Sequence, residues 1–182
     1  WNLEVPGKND LSEQRYIIKL RNEFEKSIKY RMVSDVPIGA FISGGVDSSA
    51  VVANMSSGSC KSINTFSVAF EDCEDFNELH YAREIANLFK TNHHELIVGP
   101  DDFNEFIYNI AEIFDDPLSD PTSIPIYFLT RLAKEKGVKV ILTGDGPDEL
   151  FLGYRKWLFL IKNKKYYDYS KILPKNILLH FL

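Results

Sequence analysis

One pattern occurs twice in this chain and limits what it can build. An apolar run at residues 38–42 breaks at Ser43-Gly44-Gly45 and restarts as Val46-Asp47-Ser48-Ser49 at the head of an apolar, helix-forming stretch. A second run at residues 138–142 breaks at Thr143-Gly144-Asp145-Gly146 and restarts as Pro147-Asp148-Glu149-Leu150. Each unit reads as a strand, a turn of small residues and a fresh helix start. Strands alternating with helices require a parallel sheet, and the crossover helices cover both of its faces. The expected class is therefore α/β, a twisted parallel sheet with helices on both sides.

The first turn has the chemistry of an anion cradle. Small residues let the backbone approach a ligand, and the N–H groups and dipole of the following helix favour negative charge. Asp47 complicates this, because a carboxylate repels an anion unless a divalent cation lies between them. The loop thus points to a nucleotide held with Mg²⁺. The commoner G-x-x-x-x-G-K-[ST] loop is excluded, since no lysine lies near Gly44 or Gly45, and the dinucleotide fingerprint G-x-G-x-x-G is absent. In the second unit, the helix dipole alone accounts for Asp148 and Glu149. Asp145 is more specific: it lies between two glycines at the carboxyl end of a strand, where open α/β sheets bind ligands.

The spacing predicts the remaining elements. Asp10 and Glu13 form a candidate capping box for a helix reaching about Met32, with Ile17, Leu20, Phe24 and Ile28 facing inward. Further strands are expected at 63–70 and 94–98, and helices at 47–55, 77–89, 102–114 and 123–136, the last capped by Gly137. Leu79, Ala82, Ile85, Ala86 and Phe89 form the inward face of the 77–89 helix. Asp35 is expected to support the turn before Pro37. Asp115, Asp116 and Asp120 lack the spacing of a calcium loop and are expected to order a turn. His93 and His94 are adjacent, so on a strand they face opposite sides and cannot share one metal. The tail from Arg155 interleaves lysines with aromatics, a pattern better explained by a helical subdomain than by nucleic-acid binding.

Composition narrows the classes further. With 21 basic against 26 acidic residues the chain carries no electrostatic footprint for nucleic acid, and no apolar run is long enough to span a membrane. The two cysteines, Cys60 and Cys73, lack C-x-x-C spacing and are expected to be free, non-catalytic thiols in a reducing compartment, the cytoplasm.

Residues 36–55, containing S-G-G-V-D-S, and residues 138–154, ending T-G-D-G-P-D-E-L-F-L-G-Y, resemble the synthetase domain of glutamine-hydrolysing asparagine synthetases, members of the PP-loop ATP pyrophosphatases. Supporting segments are T-F-S-V-A-F at 65–70, Tyr81-Ala82-Arg83-Glu84, H-H-E-L at 93–96 and S-I-P-I-Y-F-L at 123–129. The resemblance implies an adenine nucleotide alpha hydrolase-like fold and an ATP- and Mg²⁺-dependent ligase that adenylates a carboxylate and then transfers ammonia to it. It implies that Ser43, Gly44, Gly45, Asp47, Ser48 and Ser49 hold pyrophosphate, and that Phe41, Val68, Thr143 and Gly144 line the adenosine site. Asp47 and Asp148 would be metal ligands, and Asp145 would orient ammonia or act as a base. Its implied domains are a linker at 1–10, a PP-loop synthetase part at 11–157, and a helical region beginning at 158. A glutaminase domain supplying ammonia from glutamine would precede the linker. A lysine that stabilises the transferred phosphates would follow residue 182, so the chain by itself is expected to be inactive. L-Aspartate is the expected acceptor. The alternatives are a paralogue amidating another acid, such as a sugar acid of a surface polysaccharide, and a non-catalytic nucleotide-binding module. A homodimer is among the assemblies the resemblance allows. Two departures stand out: Pro147 replaces a usual Gly or Ser, and Leu152 replaces a usual glycine.

Overall fold

The computed structural model describes residues 11–59, 62–71, 77–113 and 120–164. Asp10, Cys60, Cys73, Asp115, Asp116 and the tail from Lys165 lie outside the described residues. Two compact units divide the chain, one through Gly144 and one from Asp145 onward.

The first unit runs α1 (Glu13–Arg31), β1 (Ile38–Phe41), α2 (Val46–Ser57), β2 (Asn64–Phe70), α3 (Leu79–Leu88), β3 (Asn92–Val98), α4 (Pro100–Ile113), α5 (Ser123–Glu135) and β4 (Val140–Leu142). The strands form one sheet in the order β3-β2-β1-β4. All three pairings are parallel, with Phe41 against Phe66, Ala40 against Leu142 and Ser67 against Glu95. The α/β expectation holds. Alternation along the strands separates two cores. Ala40 and Ile42 pack with Val51, Val52 and Met55 of α2, Ala82 of α3 and Ile28 of α1. On the other face Phe66 packs with Leu129, Leu132 and Ala133 of α5. Phe66 is fully enclosed, and burying such a side chain stabilises the fold by about 1.5–3 kcal/mol.

Several local expectations need correcting. The N-cap of α1 is Ser12, with no side-chain capping bond. Only the C-terminal half of α1 reaches the core: Ile28 is buried and Phe24 partly so, whereas Ile17 and Leu20 are 50% and 51% exposed. Helical periodicity marks an apolar face but not how far along the helix a partner extends. Ser34, whose Oγ lies 3.2 Å from the Val36 N–H, closes the turn before Pro37. Pro100 opens α4, at a position where a missing N–H costs nothing. On α3, Leu79, Ala82 and Ala86 are buried as expected. Asp120 orders the turn before α5 by accepting the Thr122 N–H at 2.9 Å, which holds its carboxyl below the usual range.

The second unit contains α6 (Pro147–Phe151) and α7 (Arg155–Lys162). Among its described residues no side chain on either helix is buried. Among all described residues, no helix is long and apolar enough to cross a membrane.

Candidate active site

The strand order determines where a site can form. From β1 the chain steps to β2 and β3 in one direction, then returns to place β4 on the opposite side of β1. The helices follow suit: α2 and α3 contribute to one core, α5 to the other. Connections that diverge from two adjacent strands open a crevice at their carboxyl ends, and ligands of open α/β sheets bind there. Here those carboxyl ends are Phe41 and Leu142, where the two Gly-rich turns begin.

The first turn is braced from within. The Ser43 N–H donates to Ser48 Oγ at 3.3 Å, and the two hydroxyl oxygens are 3.1 Å apart. Ser48 in turn donates to the Gly45 carbonyl, and Ser43 Oγ accepts the Gly45 N–H, both at 3.3 Å. Ser48 is buried and acts as a strut for the loop. The Ser49 hydroxyl oxygen is enclosed and without a hydrogen bond. Gly45 is the N-cap of α2, and no side chain caps that helix. Its first-turn amides therefore have no side-chain acceptor, which suits an anion. Asp47, half-buried, sits in the same turn.

Glycine is required at two points. Gly44 has φ +82°, and a Cβ there would lie 2.3 Å from Tyr81 Cβ and 3.0 Å from the Ala82 nitrogen. The loop thus turns on the N-terminal part of α3. A Cβ on Gly144 would lie 2.7 Å from the Ser48 nitrogen and 3.0 Å from the Asp47 carbonyl carbon. The turn after β4 accordingly rests on the first turn of α2, and backbone from both motifs meets there. Thr143 is exposed beside it, while Phe41 and Val68 are half-buried against the α5-side core.

The remaining predicted residues, Asp145 and Asp148, belong to the second unit. Gly146, with φ +102°, is the N-cap of α6. Pro147 is the first helical residue, so the amide it lacks is one the helix could not have bonded. Leu152 ends the helix at φ +62°, a left-handed conformation that costs a side-chain-bearing residue about 1–2 kcal/mol. Gly153 leaves room for the Asp148 carboxylate: a Cβ at 153 would come within 1.8 Å of Asp148 Oδ1. The Tyr154 hydroxyl donates to Glu149 at 2.6 Å. That bond pushes the Tyr154 phenol up to about 12 and holds Glu149 below the usual carboxylate range.

Among the described residues no group of three or more His, Cys, Asp or Glu could cage a metal. Mg²⁺ commonly takes one or two carboxylates together with substrate phosphates. Asp47 beside an uncapped helix N-terminus fits that donor set, with phosphate oxygens completing the coordination. His93 and His94 serve the β2–β3 edge on opposite faces. His93 Nδ1 is 3.0 Å from Thr65 Oγ1 and its Nε2 is 3.2 Å from Glu95, which Arg83 grips through two hydrogen bonds of 2.7 Å. His94 stacks on Phe66 and bonds Asn64 Oδ1 at 3.2 Å.

Contacts from β2 and α3 were not evident from the motifs. Ser67 on β2 donates to the Ile42 carbonyl, immediately before the first Gly-rich turn. A serine inside a strand buried on both faces was the available signal.

The asparagine synthase family profile matches residues 19–178. A relative from Methanocaldococcus jannaschii, provisionally named asparagine synthetase (glutamine-hydrolyzing) 2, is 41% identical over 94% of this chain and 32% of its own length. Asparagine synthetase (glutamine-hydrolyzing) 1 of Bacillus subtilis is 39% identical over 78% of this chain and 22% of its own. The chain thus spans about a third or less of these relatives. Among solved structures, an NH3-dependent NAD synthetase from Campylobacter jejuni aligns with a TM-score of 0.48 at 16% identity, over 79% of this chain and 61% of that one. With the family profile covering most of its length and both Gly-rich turns present, the chain belongs to the asparagine synthase family.

Proposed function

We propose that this chain supplies the nucleotide-binding part of an ATP-dependent, amide-forming ligase. The observation that carries this is the close approach of the Gly144 backbone to the first turn of α2, which brings the turns after β1 and β4 together at an uncapped helix N-terminus. In this reading Ser43, Gly44 and Gly45 cradle the β and γ phosphates. Ser48 holds the loop in shape, and the peptide units around Phe41, Val68, Thr143 and Gly144 take the adenosine. The names of the relatives support L-aspartate as acceptor and glutamine as nitrogen source.

The chemistry is activation followed by transfer. An oxygen of the acceptor carboxylate attacks the α phosphorus, and the bond to the pyrophosphate oxygen breaks. Ammonia then attacks the acyl carbon, AMP leaves with the bond electrons, and the nitrogen gives up a proton, for which Asp145 is the proposed base. Mg²⁺, bound through Asp47 and Asp148, would neutralise charge on the departing pyrophosphate. Positioning and charge neutralisation account for most of the rate in such transfers. A preceding glutaminase domain, a cytoplasmic location and a homodimer belong to the same proposal.

Calorimetry of MgATP binding to the full-length protein tests the core of it. Asp47→Ala should weaken binding at least tenfold, about 1.4 kcal/mol. Undiminished binding by that variant would overturn the nucleotide assignment. Pyrophosphate release that responds to a sugar acid but not to aspartate would keep the ligase and reassign its acceptor.

A further inference from the structure

The β1–β2 ladder ends in an irregular way that bears on how the base is read. Pairing stops at Phe41 against Phe66, and the Ile42 N–H still donates to the Phe66 carbonyl at 3.0 Å. In a regular parallel ladder the Ile42 carbonyl would then accept the N–H of Val68, two residues further along β2. Instead it accepts the hydroxyl of Ser67, a side chain only 3% exposed. On its other edge β2 stays paired with β3 through Phe70 against Val98. The β2 backbone at Val68 is therefore held extended from one side while its β1 side opens at the carboxyl end of the sheet.

Resting on the nucleotide reading above, we propose that Ser67 is a positioning residue of that site: its hydroxyl closes the ladder on Ile42 and leaves the Val68 peptide to read the base. The consequence is chemical. Residues 66 and 68 direct their backbone polar groups toward β1 by the alternation of the strand. Beyond the ladder end, Val68 offers one N–H donor and one C=O acceptor in a fixed relation. Adenine presents an acceptor at N1 beside a donor at N6, which complements that pair. Guanine presents the reverse, a donor at N1 beside an acceptor at O6. The same bond fixes Ile42, so Ser67 also sets where Ser43 and the phosphate turn begin.

A purely structural role, the satisfaction of one buried hydroxyl, would change stability without changing nucleotide choice. ATP and GTP affinities of the full-length protein separate the two, measured beside thermal melts. In Ser67→Ala, ATP should bind about tenfold more weakly, and the preference for ATP over GTP should shrink. Ser67→Thr keeps a donor at the same position and should restore both. If Ser67→Ala does not fold, Ser67→Cys, a weak donor of similar shape, should show the same loss in smaller measure. A soluble Ser67→Ala or Ser67→Cys protein with the unsubstituted ATP affinity and ATP-to-GTP ratio overturns the proposal and leaves the nucleotide site standing. An unsubstituted protein that binds neither nucleotide overturns both.

Discussion

At the scale of single residues, the site depends on what is missing as much as on what is present. Gly44 carries a positive φ and lies where a methyl group would overlap Tyr81. Both penalties act in Gly44→Ala, and neither can be relieved by rotating a flexible side chain, because the obstructing atoms are a Cβ and backbone. The expected loss is about 2–4 kcal/mol of stability, read as a lower urea midpoint, together with weaker MgATP binding. A variant with an unchanged midpoint would mean that α3 does not support the loop. The glycines themselves were legible in the sequence, as was their place between strand and helix. The residues they touch were not, because Tyr81 and Ala82 lie a helix and a strand further along the chain. Ser48 was legible as a member of the first Gly-rich unit, but its use as an internal strut depends on hydrogen bonds that only the folded turn creates.

At the scale of elements, periodicity identified every helix and strand of the first unit, with ends displaced by a residue or more where caps decide them. Gly137 is a case: the helix ends at Glu135, Lys136 caps it, and Gly137 takes the left-handed position beyond at φ +74°. The β3 edge carries a consequence for acid stability. Burial pulls the His93 imidazole below its ordinary 6.5, against the opposing pull of Glu95, and burial together with Lys136 does the same to His94. Just below 6.5 the unfolded chain therefore holds more protons than the folded one, so stability rises with pH through that window. This contribution is complete above 6.5 and is lost as pH falls through the folded values. Glu95, held low by its hydrogen bonds to Arg83, adds a second loss with the same sign below 4.5. The urea midpoint should therefore drop between about pH 8 and about pH 5.5, and a His93→Gln, His94→Gln double variant should show a flatter profile. Equal midpoints for the unsubstituted protein at the two pH values would mean that neither imidazole is kept neutral by the fold.

At the scale of the whole molecule, buried apolar surface among the described residues is concentrated in the first unit, and this predicts which of them open first. Phe66, Phe106, Phe128, Met55 and Val52 are all fully enclosed there. In the second unit, α6 and α7 expose Leu150, Phe151, Leu158, Phe159, Leu160 and Ile161, each by 48% or more. A helix of eight residues has little intrinsic stability in water, and burial of one face is what normally holds it. Local opening of α7 should then cost far less than opening β1 or β2, whose hydrogen bonds break only with the core. Brief digestion of this chain with a protease of broad specificity should yield cuts within residues 145–164 before any cut between β1 and α2, identified by mass spectrometry. Early cuts between β1 and α2 would contradict the prediction, because they would show the first Gly-rich turn opening independently of the core that Ile42, Val51 and Val52 share. The loop's bonds argue against that outcome: Ser43, Gly45 and Ser48 are tied to one another, Ile42 is tied to β2 on both its N–H and its carbonyl, and Gly44 rests on α3.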